Sequence, residues 1–242
     1  MLLTKEFAEI LGMFAADGCL QEKYICMWGN LFADKEYYDS LVCPLFSKVF
    51  EKKVVPHEKK SNSVYGFYIC DKEIVRIFRE IGFTRNKTYD VSVPIEILNN
   101  QDPEIIASFI RGYADCDGCI SFMKRKGKYI EFKCKFNTYP IIHIVSVSKQ
   151  VIKEMSTLLT RLNILHTVVK KRSKNEREKE QSAIVVRGPT RVGEFIKKIG
   201  FNNPAQQTKY NIWLKFGMCP PRITMDDRKK ILEGKINPFE YY

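Results

Sequence analysis

Two aspartates, Asp17 and Asp117, stand one hundred residues apart, each in a stretch where Ile, Gly, Asp, Gly and Cys recur in identical places. Residues 10–20 read ILGMFAADGCL and residues 110–120 read IRGYADCDGCI. Two carboxylates brought close together repel unless a cation lies between or beside them. Hard divalent cations such as Mg²⁺ take oxygen ligands of this kind and keep several of their waters. A metal held there can activate water and stabilise a leaving oxygen, which is the chemistry of phosphodiester hydrolysis. Taken singly, each aspartate also suits an ordinary helix-ending Asp-Gly turn. The chemistry therefore depends on elements that bring the pair together.

Those elements can be read from spacing. Thr4 can cap a helix in which Ala8, Gly12 and Ala15 or Ala16 share one stripe. Ser108, Gly112 and Asp115 or Cys116 take the same places in the second copy. A glycine inside a helix costs about 1 kcal/mol relative to alanine. Matching glycines at 12 and 112 therefore predict two helices packed backbone to backbone, with Asp17 and Asp117 at the same end near a pseudo-two-fold axis. Gly18 and Gly118 are expected to end these helices in the left-handed conformation.

The duplication extends further. FREIGFTRNKTY (78–89) and IKKIGFNNPAQQTKY (196–210) share IGF, and a Lys and then a Tyr follow in each. Between the landmarks, apolar periodicity changes from strand-like to helical and back in both halves. Residues 38–49 suit a helix, and Asp71 suits the cap of a later one. Each half thus reads helix, strands, helix, strands, helix. Residues 1–92 form the first repeat, 93–103 a proline-flanked joint, and 104–242 the second repeat with a tail of about two helices.

Composition narrows the partner. Forty Lys and Arg against 28 Asp and Glu give a net charge of +12, which favours a polyanion. No apolar stretch approaches the roughly 20 residues of a membrane helix, and the first ten residues lack a signal-peptide core. The protein is expected to be intracellular, in cytoplasm or organelle, and not secreted. Most of the eight cysteines are expected to be reduced and buried. Cys116 and Cys119 form a CxxC, but no second ligand pair suits zinc; a redox role fits by spacing alone.

ILGMFAADG and IRGYADCDG resemble the two motifs of single-chain LAGLIDADG homing endonucleases. The likeness implies an α+β fold of two αββαββα repeats, with the motif helices at the central interface and two antiparallel sheets forming a saddle over DNA. It implies cleavage of both strands of a long target in double-stranded DNA by a monomer needing no protein partner. Asp17 and Asp117 would bind catalytic metal, with the carbonyls of Ala16 and Cys116 as further ligands. Mg²⁺ is the expected cofactor, on the order of two or three ions per active centre, with Mn²⁺ or Ca²⁺ able to substitute in binding. Lys87 and Lys209, after the IGF segments, match the family's active-site lysine.

The first motif departs from the signature at Ala15, where the second keeps Asp115. Arg111 replaces a small residue and suggests looser, more solvated packing. Asn30 and Ser148, at matching strand ends, are candidates to position water or phosphate. Strand residues could read base edges in the major groove: Lys23, Tyr24 and Trp28 in the first half, and Lys124, Lys128, Lys133 and Lys135 in the second. Segments 57–63 and 170–181 would track phosphates as loops. The alternatives are an intron RNA maturase or a non-cleaving DNA-binding protein on the same fold. An endonuclease within an intein is a third. The terminal Met1 and Phe-Glu-Tyr-Tyr lack splicing residues and instead suit a free-standing, intron-encoded protein.

Overall fold

A computed structural model describes residues 2–85, 90–124, 134–171 and 180–242. The Thr4 hydroxyl caps helix α1 (Lys5–Asp17) by accepting from the Phe7 N–H. The helix runs directly into strand β1 (Gly18–Leu20), which turns into β2 (Ile25–Asn30). The stretch predicted as one helix is α2 (Lys35–Tyr37) and α3 (Cys43–Phe50), joined through a wide π turn at Tyr38–Val42. Pro44 explains that turn, because its ring would strike a carbonyl four residues earlier in a regular helix. Strands β3 (His57–Lys59) and β4 (Val64–Ile69) follow, then α4 (Lys72–Glu80). The Asp71 carboxylate caps α4, accepting from the N–H groups of Glu73 and Ile74.

After a short helix α5 (Ile95–Leu98), the pattern repeats. Helix α6 (Pro103–Asp117) leads into β5 (Gly118–Lys124) and β6 (Asn137–Ser146). Helix α7 (Lys149–Arg161), β7 (Thr167–Lys171), β8 (Gln181–Arg187) and α8 (Pro189–Lys198) complete it. The tail adds α9 (Pro204–Phe216) and α10 (Met225–Leu232). The two antiparallel sheets have orders β1-β2-β4-β3 and β5-β6-β8-β7, one the image of the other. The chain is therefore two αββαββα units. No helix among the described residues is long and apolar enough to cross a membrane.

One apolar core runs through both units, with Phe14 packed tilted against Phe78 at 4.2 Å and edge-on to Phe83 at 4.9 Å. Each such buried aromatic contributes about 1.5–3 kcal/mol. The segment 93–103 between the repeats, and Val91 just before it, pack on the core. Val91, Val93 and Ile97 enter the core, and Arg161 of α7 donates to the Leu98 carbonyl at 2.7 Å.

Helices α1 and α6 touch backbone to backbone at the matching glycines. A Cβ on Gly12 would lie 2.0 Å from the Phe109 carbonyl oxygen, and one on Gly112 would lie 2.1 Å from that of Glu9. Two expectations are corrected here. Gly18 and Gly118 are extended, with φ of −68° and −100°, because each helix passes straight into a strand. Glycine is required there by space, since a Cβ would fall 2.2 Å from the Phe14 ring or 2.3 Å from the Ala114 oxygen. Nor does Arg111 loosen the interface: its guanidinium pairs with buried Glu9 at 2.6 Å and donates to the Ile199 carbonyl at 3.2 Å.

Candidate active site

The glycine contact fixes where the two motif helices end. Asp17 and Asp117 are their last residues, both exposed, and both line one cavity of about 470 Å³. Ala16, Tyr113, Ser146, Thr84 and Gln181 line it too. Each carboxylate is felt by the same two neighbours. Burial pushes the Tyr113 hydroxyl well above the ordinary phenol range, and Asp117 and Asp17 push it further. Burial likewise raises the Cys116 thiol, followed by Asp17, Asp115 and Asp117. Asp17 thus acts on the Cys116 thiol from the other motif helix.

This donor set suits a hard divalent cation. Among the described residues, no three or more His, Cys, Asp or Glu side chains are placed so that they alone could hold a metal ion. Two carboxylates thus leave the remaining positions to backbone oxygens, water and phosphate, the usual arrangement for Mg²⁺. Ala16 and Cys116 directly precede the aspartates, and Ala16 lines the cavity.

Asp115, the acid that Ala15 lacks, serves the scaffold. It is 2 % exposed and accepts the N–H groups of Asn202 and Asn203 at 3.0 Å, with the Tyr37 hydroxyl at 3.3 Å. Burial outweighs those two N–H bonds and pushes its pKa up to about 7.

Several expected site residues stand elsewhere. Lys209, on α9, places its Nζ 3.4 Å from Gln206 Oε1 and 3.7 Å from Cys119 Sγ, against a separate cavity of about 220 Å³. Ser148 is 1 % exposed: its hydroxyl donates to the Val91 carbonyl at 2.7 Å and caps α7 through the Val151 N–H. A buried cap cannot touch DNA. Asn30 is exposed, but its Oδ1 accepts from Phe32 and Ala33 N–H groups to form a turn. Lys124 leans over the Tyr242 ring at 5.5 Å, toward the tail. Lys135 is exposed beside Phe136, and Lys23 and Tyr24 are exposed in the β1–β2 turn. Lys87, Lys128 and Lys133 lie outside the described residues, as does most of the 170–181 segment.

The faces of the sheets turned from the core differ. In the first, Trp28 carries Lys59 over its ring at 3.8 Å, and His57 stacks on exposed Tyr68 at 5.7 Å. Residues 57–59 are a paired strand, where a loop was expected. In the second, Ile141, Ala183 and Val185 form a small buried aliphatic cluster. His57 and Lys59 lie in the 57–63 segment expected to track phosphates, whereas sequence reasoning missed Tyr68, which the pairing of β2, β3 and β4 brings to the same face. It also missed Tyr113, whose position in the motif signature looked merely apolar.

Comparisons with known proteins agree with this fold. Residues 104–200 match the family model of the LAGLIDADG-like domain. The meganuclease I-SmaMI, bound to uncleavable DNA, superposes with a TM-score of 0.55 at 14% identity, covering 94% of this chain and 93% of that one. Mesophilic variants of the homing endonuclease I-DmoI give 0.54 at 12% identity, over 81% and 90%. The N-terminal LAGLIDADG domain of DUF199/WhiA gives 0.50 at 14% identity, over 81% of each chain. Both units of this chain therefore have the LAGLIDADG fold, and the second carries the family's own sequence pattern.

Among curated proteins, the replicative DNA helicase DnaB of Rhodothermus marinus is 28% identical over 82% of this chain and 20% of its own length. One component of the A-type ATP synthase of Pyrococcus abyssi is also 28% identical, over 82% of this chain and 17% of its own length. The chain thus spans a fifth or less of these relatives.

Proposed function

We propose that the protein is a site-specific endonuclease that cuts both strands of a long double-stranded DNA target with divalent metal. The observation carrying this reading is the single cavity that holds Asp17 and Asp117 at matching ends of two glycine-packed helices. I-DmoI has been solved with its target DNA in the presence of Mg and with DNA and Mn, at TM-scores of 0.52 and 0.53. That likeness supports the same class of ligand here. Bound Mg²⁺ would polarise the scissile phosphate and acidify the attacking water.

The chain's own residues do the rest. Asp17 and Asp117 hold the metal, one for each strand. Trp28, His57, Lys59 and Tyr68 present cationic and aromatic groups to the major groove, where base edges are distinguishable. The net charge of +12 draws the duplex in. Lys209 lies on the flank of β5 beside Cys119, and suits a phosphate contact better than contact with the metal-bound water.

The curated relatives, a helicase and an ATP synthase component, share this segment within far longer chains. That pattern supports an activity separate from the named roles of those proteins. A second reading on the same fold is a DNA binder that does not cut, supported by the net charge of +12 alone. Cleavage selection from a randomised DNA library with Mg²⁺ decides between them. Recovery of one family of cut sequences supports the nuclease; tight binding with no cut sequence supports the binder.

A further inference from the structure

The two carboxylates are not supported alike. A chain of polar groups reaches Asp117 from the junction of β6 and α7. The Ser148 N–H donates to Ser146 Oγ at 3.2 Å. Ser146 and Asp117 both act on the Tyr113 hydroxyl, Ser146 drawing its pKa down and Asp117 pushing it up. Ser146, Tyr113 and Asp117 all line the same cavity, and Tyr113 is only 1 % exposed. Its ring is fixed in the helix interface, one turn before Asp117, where residues four apart share a face. In the first motif the matching position is Met13, which has no hydroxyl to donate.

We propose that Tyr113 is a positioning residue for Asp117, holding its carboxylate through a Ser148–Ser146–Tyr113 relay that has no counterpart at Met13. This rests on the nuclease reading above. The relay fixes one carboxylate rotamer before metal and DNA arrive, whereas the thioether of Met13, one turn before Asp17, has no hydroxyl with which to do the same. The two centres then differ in metal affinity, and the two strands are cut at different rates.

The test is Tyr113→Phe, which keeps the ring and removes the donor. A hydrogen bond to a charged group is worth about a tenfold change. Mn²⁺ titration of the DNA complex by electron paramagnetic resonance should show one class of site weakened about tenfold. Strand-resolved cleavage should slow about tenfold on one strand and less than about twofold on the other. A merely structural role would slow both strands together. Ser146→Ala keeps Tyr113 and removes only its buttress, so a smaller shift in the same strand ratio is expected even if the phenylalanine variant fails to fold. An unchanged strand ratio and unchanged Mn²⁺ binding in the folded variants overturn the proposal alone. Wild-type protein that binds DNA but neither binds Mn²⁺ nor cuts overturns the nuclease reading itself.

Discussion

The two motif helices share a backbone role and almost nothing else. Apart from the shared isoleucine, glycine, aspartate and closing glycine, α1 offers Leu11, Met13, Phe14, Ala15 and Ala16 where α6 offers Arg111, Tyr113, Ala114, Asp115 and Cys116. The polar positions of α6 are all engaged. Arg111 reaches Glu9 and Ile199; Asp115 gathers Asn202, Asn203 and Tyr37; Tyr113 and Cys116 contact the two candidate metal ligands. Symmetry is thus demanded only by the close backbone contact and the carboxylate pair. Everything between them has been free to specialise, and the second helix has become the hub that ties α1, α2 and the tail together.

The sharpest way to break this comparison is at its symmetric part. Gly12→Ala and Gly112→Ala should each cost about 3 kcal/mol in denaturant unfolding, since overpacking against backbone allows little relief. Near-equal losses confirm that the backbone contact is shared; a tolerated alanine at either place denies it. Arg111→Leu, which copies Leu11, should cost about 3 kcal/mol by leaving Glu9 buried without its partner. The double variant Glu9→Leu with Arg111→Leu should recover most of that loss.

Asp115 gives a pH test. Its folded pKa, about 7, lies above the unfolded value of 3.8. The folded state therefore holds the extra proton between these values, and this contribution to stability falls as pH rises from about 4 through about 7. Unfolding of metal-free protein at pH 5 and pH 8 should show that loss, and Asp115→Asn should flatten it. The smallest expected effect concerns the sheet faces. Lys59→Gln should lower the salt dependence of DNA binding by about one phosphate contact while leaving stability within about 0.5 kcal/mol.

The sequence carried the architecture because duplication is visible wherever backbone geometry constrains residue type. The glycine pair, the aspartate pair, Thr4 and Asp71 each answer to a local rule that one chain suffices to apply. Ser148 shows where such rules stop: a serine ending a strand suits either a phosphate contact or a helix cap, and only its burial under Val91 decides. Lys209 misled because the second copy inserts residues before its lysine, so Pro204 starts α9 early and carries the side chain to the flank of β5. Tyr113 was hidden by its own motif, since a tyrosine on a buried stripe looks like core until its hydroxyl is seen to meet Asp117.

The nuclease reading gives Asp17 and Asp117 the metal with which each strand is cut. Its most direct test is the conversion of supercoiled plasmid carrying a selected target, with Mg²⁺, by wild-type protein and by the Asp17→Asn, Asp117→Asn double variant. The account predicts linear product from the wild type, and none from the double variant while its DNA affinity stays within about threefold, since carboxylates contribute no phosphate contacts. Linear product from the double variant at the wild-type rate would contradict it.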